Sequence, residues 1–209
     1  MGFERFSARD FQVFAISGFQ GRMGAIKSQV RPKLEALGEA LLPELARLTG
    51  DEVFAHVAKH ARRTVNPPDD TWVAFGPGRR GYKKAPHFKV AISRRATRFL
   101  FEVGPEYAEK TRWAAAWKRQ APKLAPALKQ ARGLAWFRNE HDEEPAALLA
   151  ALSTEALVGL ADELTRTRDG QLVLGRRADE AEVVGWGPDD YRTLAVATFK
   201  ALAPLYRLG

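Results

Sequence analysis

Apolar residues recur at helical spacing towards both ends of the chain and alternate with polar ones in the middle. This change of period organises the sequence. Leu34, Leu37, Leu41, Leu45 and Leu48 follow every three or four residues. They predict a helix from Lys33 whose leucine stripe packs into a core, with Gly50 as its stop. Ser7 and Asp10 are spaced as a capping box and predict an earlier helix start, with Phe11, Phe14 and Ala15 on one face. A second helix is expected from about Gln20, breaking and restarting at Pro32, because proline fits best in a first helical turn.

Near Asp51 the period shortens to two. Val53–Val57 reads as a strand. Thr71–Phe75 reads as a stronger one, with Trp72 and Ala74 on one side and Val73 and Phe75 on the other. Gly76-Pro77-Gly78 marks a turn that continues into the basic tip Arg79–Lys84. His87–Ile92 places Phe88, Val90 and Ile92 on one face, and Thr97–Val103 continues the alternation after a turn at Ser93–Ala96. Strands joined by short turns predict an antiparallel meander.

The helical period returns after Pro105. A helix is expected over Tyr107 to about Gln130, interrupted at Pro122 and Pro126, with Trp113 and Trp117 in the core. A short strand at Leu134–Phe137, a hydrophilic loop at Glu140–Glu144, a helix from Ser153 through Leu164 and a strand at Gln171–Leu174 follow. Gly187-Pro188-Asp189-Asp190 caps a last helix, with Leu194, Ala197, Phe199, Leu202 and Leu205 facing inward. The pattern predicts an α+β fold: an antiparallel β-sheet meander flanked by N-terminal and C-terminal helices, in a single domain over residues 1–209.

Composition narrows the function. No cysteine is present, which excludes disulfides, thiolate metal sites and cysteine nucleophiles. The N-terminus has no signal-peptide core, and no apolar run approaches the roughly 18 residues of a membrane span. A cytoplasmic protein without membrane contact is expected. The net charge is +8 and the pI about 9.9, which favours anionic partners. Residues 51–100 hold 11 Lys/Arg against 4 Asp/Glu, so most of the net charge sits there, with three of the four histidines.

The stretch GDEVFAHVAKHARRTVNPPDDTWVAFGPGRRGYKKAPHF at Gly50–Phe88 closely resembles the signature of the YktB-like family of bacterial proteins, a family of unknown function. RPKLEALGE at Arg31–Glu39 and FKALAPLYRL at Phe199–Leu208 extend the likeness. The resemblance implies an α+β domain of cytosolic type and supplies no reaction and no catalytic residues.

The candidate site is therefore built from chemistry. Arg62, Arg63, Arg79, Arg80, Lys83 and Lys84 offer forked and point-charge donors for phosphate, while Trp72 and Tyr82 offer rings on which a base stacks. His56, His60 and His87 complete the patch. A three-histidine metal site with Asp69 or Asp70 is geometrically conceivable, but Lys59, Arg62 and Arg63 around the pair disfavour a dication, and no metal or cofactor is expected. Asn66–Asp70 reads as a rigid turn whose aspartates pair with Arg62 or Arg63.

Three functions remain open. The first is a binding module for an anionic, phosphate-bearing ligand, nucleic acid or nucleotide. The second is a small-molecule enzyme with a histidine acid/base oriented by Asp69 or Asp70, acting on a phosphorylated or carboxylated substrate. The third is an interaction protein with no pocket. The sharpest geometric expectation is that His56, Arg62 or Arg63, and His87 converge within reach of one anion.

Overall fold

The computed structural model describes residues 4–208. Met1, Gly2 and Phe3, which open the stretch read as lacking a leader, lie outside the described residues, as does Gly209. The architecture is α+β: a seven-stranded antiparallel sheet with its helices on one face. The strands are β1 (Phe54–Val57), β2 (Asp70–Gly76), β3 (His87–Ser93), β4 (Ala96–Val103), β5 (Ala135–Phe137), β6 (Ala147–Leu148) and β7 (Leu172–Asp179). Their spatial order is β1-β2-β3-β4-β7-β5-β6. The first four form the expected meander. The sheet then continues through β7, which extends five residues beyond the strand expected to end at Leu174 and pairs with β4 along its whole length.

Alternation divides β2, β3 and β4 cleanly. Val73, Phe75, Phe88, Val90, Ile92, Phe99 and Phe101 enter the main core beneath the helices. Trp72, Ala74 and Ala91 belong to a separate small cluster on the opposite face. The longest helices are α3 (Arg31–Thr49), α4 (Lys110–Gln130) and α7 (Pro188–Tyr206). α3 and α7 pack against each other and against the meander strands, while α4 pairs with α5 (Thr154–Arg166). Trp113 and Trp117 are fully buried in α4, stacked at 5.9 Å. Each indole N–H donates to a backbone carbonyl, of Leu205 and Leu157 respectively. Among the described residues no helix is long and apolar enough to cross a membrane.

Several local expectations are corrected. α1 (Ala8–Gln12) ends early and tightens into a 3₁₀ turn at Val13–Ala15, so the buried face turns to Val13 and Phe14 while Ala15 is exposed. Pro32 does not interrupt the chain: α2 (Phe19–Ala25) passes through a π-helical turn at Ile26–Val30 directly into α3. Pro122 and Pro126 do not interrupt α4 either. Both lie on its exposed side, so the carbonyls that proline leaves unpaired are on the solvent face rather than in the core. In α7, Ala197 is exposed and Ala195 takes the inward position. A short helix, α6 (Glu180–Val183), follows β7 without a sequence signal that singled it out.

At Gly175 two strands approach closely. A Cβ there would lie 2.1 Å from the Phe99 carbonyl oxygen and 2.9 Å from the Leu100 Cα. Gly175→Ala is expected to destabilise the protein by about 1–3 kcal/mol or more, because backbone rather than a flexible side chain must move. The urea midpoint checks this.

Candidate functional site

The face of the sheet opposite the helices is built from the polar half of the alternation. Its inward positions are Asp70 and Trp72 on β2, His87 and Lys89 on β3, and Arg98 and Glu102 on β4. In register, His56 lies opposite Ala74, which lies opposite Lys89. Loops rather than helices cover this side. The Pro77–Pro86 loop and the loop after β5, residues 138–146, close over charges that strand geometry has fixed in place.

The charges are buried and paired. Arg98 is fully buried; it donates to Asp70 Oδ2 at 2.7 Å and to the carbonyls of Glu140 and Asp142 at 2.9 and 2.8 Å. Lys89 is also fully buried. It lies 3.4 Å from Glu102, bonds Glu140 closely, and sits 4.8 Å above the Trp72 ring. Burial disfavours its charged form, but the Glu102 and Glu140 carboxylates outweigh that and hold its pKa above the ordinary lysine value. Glu102 is held below the carboxylate range in turn: burial raises it, while Lys89 and His87 lower it more. Trp72 completes the bed, its indole N–H donating to Tyr82 Oη at 2.7 Å.

Above this bed, the Pro77–Pro86 loop forms a cleft of about 790 Å³. Arg62, Arg79, Arg80, Lys83 and Lys84 line it with Tyr82, and among the described residues Glu106 is the only acidic one in the lining. Arg79 reaches Glu52 at 3.3 Å, and Lys83 lies 3.8 Å from Glu140. Among the described residues, Arg62, Arg80 and Lys84 have no carboxylate within ion-pair distance. The loop is held tightly. His56 Nε2 lies 2.8 Å from the Gly78 carbonyl, and a Cβ at Gly78 would come 2.4 Å from the Gly81 oxygen.

The expected patch thus separates by depth. Arg62, Arg79, Arg80, Tyr82, Lys83 and Lys84 line the cleft. His56 and His87 share one face of the sheet with Tyr82 between them, at 5.6 and 4.7 Å from its ring. Convergence on one anion does not follow. His87 is fully buried, 2.9 Å from the Ala85 carbonyl and 3.2 Å from Glu102. Trp72 is only 9% exposed and is a floor rather than an open stacking platform. His60 lies at the sheet edge, with a left-handed backbone (φ 50°) and its Nε2 3.1 Å from Thr71 Oγ1. Burial lowers its pKa to about 4, so it is neutral at physiological pH and offers an anion no charge. Arg63 lines a different cavity.

The aspartates also find other partners than expected. Asp69 pairs with Arg22 at 2.8 Å, and Asp70 with Arg98 and His141. His141 was not singled out by the sequence, nor were Lys89, Arg98, Glu102 and Glu140. A signal for three of them exists: Lys89, Arg98 and Glu102 interrupt apolar strands at the positions that alternation assigns to one face. The loop expected at Glu140–Glu144 is present, but Glu140 turns inward and is buried.

Comparison with known proteins identifies the family. The family model described as a domain of unknown function, DUF1054, matches residues 6–206. A UPF0637 protein of Bacillus licheniformis is 35% identical over 204 residues, covering 98% of this chain and 95% of the relative. A UPF0637 protein of Bacillus velezensis is 36% identical over 204 residues, covering 98% and 96%. One of Bacillus thuringiensis is 34% identical over 208 residues, covering 100% and 99%. The chain belongs to the DUF1054 family, the YktB-like proteins of bacteria.

The buried network has two measurable consequences. Lys89→Met is expected to cost about 3–5 kcal/mol in urea unfolding, because it strands the Glu102 and Glu140 carboxylates without their cation. Stability should also respond to pH on both sides of the ordinary histidine value of 6.5. His60 is depressed to about 4, so its contribution is present above 6.5 and is lost as pH falls towards 4. His141 is raised by its hydrogen bond to Asp70, so its contribution is present below 6.5 and is lost as pH rises through its folded value. His60→Asn, which tolerates the left-handed backbone, should flatten the acid limb, and His141→Gln the alkaline limb.

Proposed function

We propose that this member of the DUF1054 family binds a phosphate-bearing ligand, nucleic acid or nucleotide, in the cleft of the Pro77–Pro86 loop. The observation that supports this most is the charge imbalance. Five cationic side chains line the cleft against one acidic one, Glu106, and among the described residues Arg62, Arg80 and Lys84 have no carboxylate within ion-pair distance. Guanidinium groups match phosphate oxygens with parallel donors, and the Tyr82 ring gives the cleft an aromatic wall for a planar base. The buried bed beneath limits the motion of that wall, because the Tyr82 hydroxyl is held by Trp72.

Recognition of this kind reads charge and backbone spacing rather than base edges. Affinity for a labelled single-stranded oligonucleotide, followed by fluorescence anisotropy, should fall linearly with salt on logarithmic axes. Three neutralised phosphates correspond to a slope of about −2. A mononucleotide should compete. Replacing Arg62, Arg80 and Lys84 together by alanine should weaken binding at least ten-fold and remove most of the slope. Arg119→Ala, on the exposed side of α4, should change neither. No binding at low salt, or unaltered binding by the triple variant, would refute the proposal.

A further inference from the structure

We propose a second binding site, for a tetrahedral doubly charged oxyanion such as a phosphoryl or sulfuryl group, in the cavity where His141 meets the end of the β2–β3 ladder. It shares no lining residue with the loop cleft, and its volume is about 570 Å³.

The inference comes from matching the charges of this cavity. Each of its carboxylates already has a cation. Asp69 holds Arg22 at 2.8 Å, and that guanidinium also donates to the carbonyls of Ile16 and Pro68. Asp70 holds Arg98 at 2.7 Å. Glu143 accepts from the Arg95 backbone and side chain at 3.2 and 3.0 Å. Two further arginines line the cavity, Arg63 from the loop before β2 and Arg94 from the β3–β4 turn. Neither has a carboxylate within ion-pair distance among the described residues. Both are solvent-exposed and line the same concavity, so an anion bound there would meet two guanidinium groups that hold no carboxylate of their own.

His141 supplies a third donor. Its Nδ1 lies 3.1 Å from both oxygens of Asp70, which fixes the ring; among the described residues Nε2 makes no hydrogen bond and lies 3.8 Å from Glu140. The side chain lines the cavity and is 45% exposed. The orienting carboxylate is itself rigid, since Asp70 is 4% exposed and braced from behind by Arg98. The groups facing the imidazole are Asp70 from β2, Lys89 from β3, Glu140 from its own loop and, across Trp72, the neutral His60. Asp70 and Glu140 favour the imidazolium and Lys89 opposes it. Protonated, His141 offers its Nε2–H to the oxyanion beside Arg63 and Arg94. Deprotonated, it offers a lone pair to the same oxygens and repels them. Binding at this site is therefore tighter at low pH, and the bound anion raises the His141 pKa by linkage.

Inorganic sulfate is the probe, because it stays doubly charged over the range in which His141 titrates. Sulfate added to the full chain should move the His141 ring resonances saturably and raise its pKa, with affinity weakening several-fold as pH rises through that value. Arg63→Ala and Arg94→Ala should each weaken sulfate binding about ten-fold, the loss expected for one charge-assisted contact. His141→Gln, at an exposed position that should not disturb folding, should leave weaker binding that no longer varies with pH. The variant lacking Arg62, Arg80 and Lys84 should keep the full His141 response. If that variant loses it, sulfate occupies the loop cleft, and the second site is overturned while the first stands. Unmoved His141 resonances, or affinity indifferent to Arg63 and Arg94, would overturn the second site directly.

Discussion

The Lys89 ammonium has no route to water, and much of the open face of the sheet is arranged around that fact. A buried cation is tolerated only with close counter-charges. Glu102 supplies one from the neighbouring strand, fixed by the sheet register. Glu140 supplies the other from a loop 51 residues further along the chain, so that loop must fold back over the sheet. Arg98 repeats the pattern. Asp70 pairs with it from within the sheet, and the Glu140 and Asp142 carbonyls come from the same loop. Sheet residues thus set the charge, and the loop closes the circuit.

This arrangement explains why the two cavities lie where they do. Glu140 bonds Lys89 below and approaches Lys83 of the cleft above, while its neighbour His141 reaches sideways to Asp70. One loop therefore touches both cavities, and its position is set by buried ion pairs rather than by surface contacts. Exposed ion pairs elsewhere, such as Arg47–Glu44, contribute far less, since water screens them. The apolar cost of the design is modest. The helical face carries the main core, so the open face needs only the small clusters around Trp72 and Leu100.

The elements were largely legible because they follow from local periodicity. The leucine stripe of α3, the Gly50 stop with its left-handed backbone, and the faces of β2 and β3 all appear as the spacing predicts. The failures have physical causes. Prolines 122 and 126 signalled interruption, but both fall on the solvent side, where an unpaired carbonyl is not buried, and the helix runs on. The basic cluster was legible as composition, and five of its six members do line one cleft, Arg63 being the exception. Its histidines were not separable by spacing. His56 anchors a loop, His60 is neutral at an edge and His87 is sealed under Tyr82.

Sequence alone determined the α+β class, the meander and the location of the positive charge, because period, turn residues and net charge are properties of neighbouring positions. Tertiary structure decided which charges are spent and which remain available. Lys84 and Lys89 are both lysines in one basic stretch; one faces the cleft with no carboxylate at ion-pair distance among the described residues, and the other is buried between two carboxylates. Asp69 and Asp70 are adjacent, yet alternation sends one to solvent and the other beneath Arg98 and His141. Burial and pairing depend on residues tens of positions apart meeting across the sheet, and only the folded chain brings them together.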